Sequence, residues 1–202
     1  MAQERRSVTA KTPATRRLSA DDWAQAALDA LAAGGLAAVA VEPIAKRLGT
    51  TKGSFYWHFK DRAALIDAAL ARWEQRSTDD VIAEVGVETD PAERLHRLFA
   101  HVIDYAATGR IELALLASAD RAAVAATLRR VADRRIEYIA ELLRELGLPA
   151  AQARTRAVVA VSIYHGFNQL ARVSPDALPS TDAQRRILVD TAFQSLLPPK
   201  RR

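Results

Sequence analysis

The stretch VEPIAKRLGTTKGSFYWHFKDR, residues 41–62, sets two short helical patterns on either side of a glycine stop. Pro43 suits a first helical turn, Ile44, Ala45 and Leu48 recur at helical spacing, and Gly49 ends the run. A helix this short is marginal in water and persists only by packing on neighbours. The stretch therefore requires a cluster of helices around it. After Thr50 and Thr51 a second helix is expected over residues 52–59, with Thr51 as its cap. At about 100° per residue, Phe55 and Phe59 come within about 40° of each other and face inward. Gly53, Ser54 and Trp57 then fall on the solvent side, and Tyr56 and His58 sit on the flanks with their polar tips free to turn outward.

The flanks supply the neighbours. Ser19 caps a helix whose first turn carries Asp21 and Asp22, whose apolar face holds Trp23, Ala27, Leu28 and Leu31, and which Gly34 and Gly35 end. A fourth helix, DRAALIDAALARWEQR, presents Leu65, Ile66, Ala69, Leu70 and Trp73 on one side. Longer amphipathic stretches follow, separated by Asp90-Pro91, Gly109, Gly147-Leu148-Pro149 and the loop PDALPS. Strand patterning is nearly absent, so the fold class expected is all-α. Three segments are expected: a flexible basic arm over 1–18, a helix-turn-helix unit over 19–65, and a larger helical unit over 66–202.

Composition narrows the function classes. The chain has 202 residues and no cysteine, which excludes thiolate nucleophiles, disulfides and cysteine zinc sites together. No run nears the roughly 18 apolar residues of a membrane span, and the first residues lack the apolar centre of a secretory signal, so a cytoplasmic protein is expected. Of the net charge of +5, residues 1–62 carry +4, from ten Lys or Arg against six acids. A basic segment of this kind attracts phosphate backbones.

A short helix, a tight glycine turn and a second short helix form the arrangement whose second helix enters the DNA major groove. Gly53 removes bulk where backbones approach, Lys52 and Ser54 can reach base edges, and Tyr56, His58 and Lys60 have the length and chemistry to reach phosphates. Residues 19–70, above all the Tyr56-Trp57-His58-Phe59 run with its following basic residue, closely resemble the DNA-binding segment of tetracycline-repressor-like (TetR family) transcriptional regulators. The resemblance implies that Tyr56 and His58 touch phosphates, that Lys52, Gly53, Ser54 and Trp57 line the groove, and that Arg62 clamps the backbone. Two positions depart from the family pattern: Arg62 stands where Lys is usual, and Val41 where a Thr or Ser usually caps the second helix.

The resemblance further implies a homodimer through the last two helices, VVAVSIYHGFNQLA and RRILVDTAFQSLL, on a palindromic double-stranded DNA operator, and a small-molecule effector site in the larger unit. Two recognition helices about 34 Å apart suit such a palindrome. Candidate pocket walls are Phe99, Ile103, Leu113, Leu116 and Phe167. Candidate polar contacts are Tyr105, Tyr138, Tyr164 and Asn168, with His101, Asp104, Glu112 and His165 also in view. No cofactor or metal is expected. Glu93 and His96 have the spacing of a di-iron helix motif, but it occurs once and lacks its partner carboxylates. The expected function is a ligand-released repressor; its rivals are a sequence-indifferent architectural DNA-binding protein and a helical-bundle enzyme.

Overall fold

The computed structural model describes residues 18–106 and 109–197. The basic arm, save Leu18, and the PPKRR tail lie outside the described residues, as do the side chains of Asp104 and Tyr105. Among the described residues the chain is helical without a strand: α1 Ala20–Gly34, α2 Val41–Arg47, α3 Lys52–Tyr56, α4 Arg62–Glu74, α5 Asp80–Val85, α6 Pro91–Ala106, α7 Arg110–Leu116, α8 Ala122–Glu145, α9 Ala150–Val173 and α10 Asp182–Leu196.

Local chemistry sets the helix ends. Ser19 and Asp22 close a reciprocal capping box at α1, as Thr181 and Gln184 do at α10, and Asp61 caps α4 through the Ala64 amide. Gly35 and Gly49 take φ of +68° and +66°, a region where a Cβ is strained, so α1 and α2 both end on glycine. Between α4 and α5 the chain makes a π-helical turn over Gln75–Asp79, which carries the helical path past the end of the expected fourth helix at Arg76.

Two cores result. The first joins α1 to α4 through Trp23, Leu28, Leu31, Ile44, Phe55 and Leu65, and it extends to Leu115 of α7 and to Val124 and Val131 of α8. The second lies among α6, α8, α9 and α10, around Leu95, Phe99, Leu142, Leu143, Ala157 and Leu196. α8 belongs to both and acts as the spine of the molecule. The expected boundary at residue 65 falls inside α4, whose Ala69, Leu70 and Trp73 stay in the first core.

Candidate functional site

The aromatic cluster of residues 55–59 divides into an inner and an outer half. Phe55 is 1% exposed, meets the Trp23 ring edge-on at 5.4 Å and stacks with Phe59 at 5.6 Å, so the two phenylalanines fix α3 against α1. Thr51 caps α3 by accepting a hydrogen bond from the Ser54 amide. The helix ends at Tyr56, shorter than the expected 52–59, and the chain turns through Trp57 and His58 while Phe59 still reaches the core. On the outer side, Trp57 is 81% exposed and Tyr56 58%. Lys52, Gly53, Lys60 and Arg62 are exposed beside them, and Ser54 and His58 are half-buried. An outward Trp is a large apolar area left in water. Next to a hydroxyl and several cations it forms a surface suited to a nucleic acid.

Two of the cations are engaged within the protein. Lys52 Nζ donates to Glu42 of α2 at 2.8 Å; the hydrogen bond, then the charge, of each partner raises the Lys52 pKa and lowers that of Glu42. Arg62 donates from Nε to the Val39 carbonyl at 2.5 Å and from Nη2 to that of Leu36 at 2.6 Å, which ties the start of α4 to the segment before α2. This anchoring was not foreseen from the sequence. At the departure noted for Val41, the N-cap of α2 is Ala40, with no side-chain hydrogen bond, and Val41 is the first helical residue. Gln25 of α1 accepts from both Arg72 and Arg76, and Arg72 also pairs with Asp21, so α1 and the end of α4 form one body.

A cavity lies in the larger unit, beside the π turn. Its empty volume is about 720 Å³ including the mouth, and its wall is predominantly apolar, built from Val81, Ile82, Leu98, Phe99, Ile139 and Val161. Arg76, Thr78, His101, Arg135 and Tyr164 bring polar groups to it. Of the residues expected in a pocket, Phe99, Tyr138, Tyr164 and His101 line this cavity. Ile103 is buried in the second core, Phe167 packs against that core and Asn168 is buried, but none of them reaches the cavity wall. Leu113 and Leu116 lie on α7 away from it, and Leu116 is exposed.

Behind the cavity wall is a buried polar hub that sequence reasoning did not assemble. Glu112 of α7 is 1% exposed and pairs with Arg135 Nη1 at 3.0 Å. Arg135 also donates to Thr78 Oγ1 at 3.2 Å and to the Ser77 carbonyl at 3.2 Å in the π turn, and its guanidinium stacks over Tyr164 at 4.9 Å and Trp73 at 5.9 Å. Tyr164 donates its hydroxyl to Glu112, and its pKa is held well above the phenol range, first by burial and then by the adjacent carboxylate. His165 Nδ1 lies 3.5 Å from Glu112; burial pushes its imidazole pKa down, against the pull of that carboxylate, and Arg135 pushes the same way as burial. The available clue was Glu112 itself, a lone acid inside the apolar run IELALL.

His96 meets Asp190 of α10 at 2.9 Å and Glu93 pairs with Arg97, so the Glu-x-x-His pair is spent on packing contacts. Among the described residues no three His, Cys, Asp or Glu gather in a metal-holding group, and no helix is long and apolar enough to cross a membrane.

Residues 25–69 match the model for bacterial regulatory proteins of the tetR family. That segment contains most of α1, all of α2 and α3, and the outward-facing Tyr56 and Trp57. Over that segment the chain is similar to the DNA-binding part of TetR-family regulators. The HTH-type transcriptional regulator SrpR of Pseudomonas putida is 30% identical over 83 residues, 41% of this chain and 37% of that protein. The uncharacterized HTH-type transcriptional regulator TtgW, also of Pseudomonas putida, is 30% identical over 78 residues, 39% of this chain and 58% of that protein. The chain thus spans less than two thirds of these relatives. A transcriptional regulator from Rhodococcus sp. Rha1 shares the fold at a TM-score of 0.70 and 23% identity, covering 89% of this chain and 96% of that one. The fold likeness to that regulator extends well beyond the TetR segment and takes in the larger helical unit.

Proposed function

We propose that this chain is a cytoplasmic, sequence-specific DNA-binding transcriptional regulator of the TetR type, a repressor that leaves a palindromic operator when a small molecule binds. It acts by binding and does not catalyse a reaction. The observation that carries the reading is the outward Tyr56-Trp57 pair on an element whose two phenylalanines are core. In this reading Lys52, Gly53, Ser54 and Trp57 face the groove, and Tyr56, His58 and Lys60 face phosphates. Thr51 holds the helix start. Arg62 positions α4 and gives its remaining N–H groups to the DNA backbone.

The reading includes a homodimer. α9 leaves Val158, Val159, Leu170 and Val173 exposed, with Gly166 allowing close approach, and α10 adds Ile187. Pairing these faces in two copies sets two recognition elements about one DNA turn apart. A ligand bound in the cavity then favours a conformation whose spacing does not match the operator, and DNA affinity falls by the ligand's preference for that state.

Fluorescence-anisotropy titration of a mixed-sequence duplex tests the interface. Wild-type binding is expected to weaken steeply with salt. Tyr56→Ala should weaken it for every duplex, and Lys52→Ala should chiefly change preference among duplexes. Unaltered binding in both variants would place the interface elsewhere.

A further inference from the structure

The regulator reading leaves the ligand without a chemistry, and the cavity beside the π turn supplies one. We infer that it takes an uncharged, largely apolar small molecule; this inference rests on that reading for its regulatory meaning, though not for the binding itself. The cavity opens to solvent, and its empty volume of about 720 Å³ includes that mouth. Aliphatic side chains from α5, α6, α8 and α9 and the Phe99, Tyr138 and Tyr164 rings make up most of the wall. Burying an apolar ligand there gains about 25 cal/mol per Å² removed from water.

The charges at the cavity point the same way. No Asp or Glu lines it, whereas Arg76 and Arg135 do, so a cationic ligand finds no counter-ion and two like charges. An anion finds the inner guanidinium occupied: Arg135 gives Nε to Thr78, Nη1 to Glu112 and Nη2 to Ser77. Glu112, 1% exposed, balances that charge, and the Tyr164 hydroxyl is donated to the same carboxylate. Arg76 is exposed and already donates to Gln25 at 2.7 Å. The hydrogen bonds around Arg135 therefore form a closed network in which a charged ligand gains little to replace its lost water, whereas the Tyr138 hydroxyl on the wall is buried without a hydrogen-bond partner and suits a neutral polar group.

Calorimetry on the full chain with matched probes tests this. Phenyl, naphthyl and octyl skeletons are each presented as methyl ketone, carboxylate and ammonium. At least one ketone is expected to bind saturably, with a dissociation constant about tenfold or more below those of its charged partners. Ala160→Leu, which fills the cavity from a buried lining position, and Val102→Phe, at a half-buried lining position, should each weaken the ketone about tenfold with the circular dichroism unchanged. If one variant fails to fold, the other decides. Tighter binding of a carboxylate or an ammonium, no saturable ketone binding, or ketone binding indifferent to the folded variant would each overturn the inference. Selection of bound duplexes by the unliganded protein separates the two readings: an enriched site without ketone binding sinks only the ligand class, and ketone binding without DNA binding sinks only the regulator.

Discussion

Arg135 lies between Val131, which belongs to the first core, and Tyr138, which belongs to the second. It holds a buried carboxylate and a π turn at once. Arg135→Met should cost about 3–5 kcal/mol in urea unfolding, because the buried Glu112 carboxyl loses its guanidinium partner, and adding Glu112→Gln should recover much of the loss. Equal losses for the single and double variants would show that the guanidinium matters only as bulk. His165 makes the same site pH-dependent. Its pKa is depressed in the folded state, so the unfolded chain binds more protons as pH falls below the ordinary value of about 6.5. Stability is thus full above that value and declines as pH drops toward the folded pKa. The decline should flatten in His165→Gln. At this scale the sequence was partly legible: the separation of about 40° between Phe55 and Phe59 placed them inside and Trp57 outside. Periodicity could not tell which arginine of LRRVADRRIEY turns inward, because the hub depends on residues from four separate elements.

Among the elements, α2 and α3 are too short to persist unaided, and the glycine turn between them must hold its shape. Gly49→Ala should destabilise the protein by about 1–2 kcal/mol, since φ of +66° places a Cβ against the following carbonyl although nothing else crowds it. A loss below a few tenths of a kcal/mol in thermal or urea unfolding would mean the turn relaxes freely. Helix ends were the most legible elements, because Ser19, Thr51, Gly35 and Gly49 carry their chemistry locally. The π turn over Gln75–Asp79 was not. Its sequence QRSTD holds no Gly or Pro to signal a change of helix type, and what marks the turn is Arg135, bonding to Thr78 and Ser77 from 57 and 58 positions away in sequence.

In the whole molecule, α8 links the core around α1 to α4 to a cavity-bearing core, and the polar hub sits at the seam. The all-helical class and the two-part layout were legible because Gly and Pro punctuate the amphipathic stretches. The cavity was only partly so: Phe99, His101, Tyr138 and Tyr164, pocket candidates in the sequence, line it, whereas Val81, Ile82 and Val161 look like ordinary core until the helices are assembled. The exposed α9 face gives the proposed dimer its surface and hence the proposed operator its symmetry. The central claim is best tested by selecting bound sequences from a random duplex pool with the purified protein, then measuring affinity for the enriched and a scrambled duplex. An enriched inverted repeat, bound far more tightly than its scrambled form, is the predicted result. Binding that falls with salt but enriches no site, or no binding at all, would contradict it.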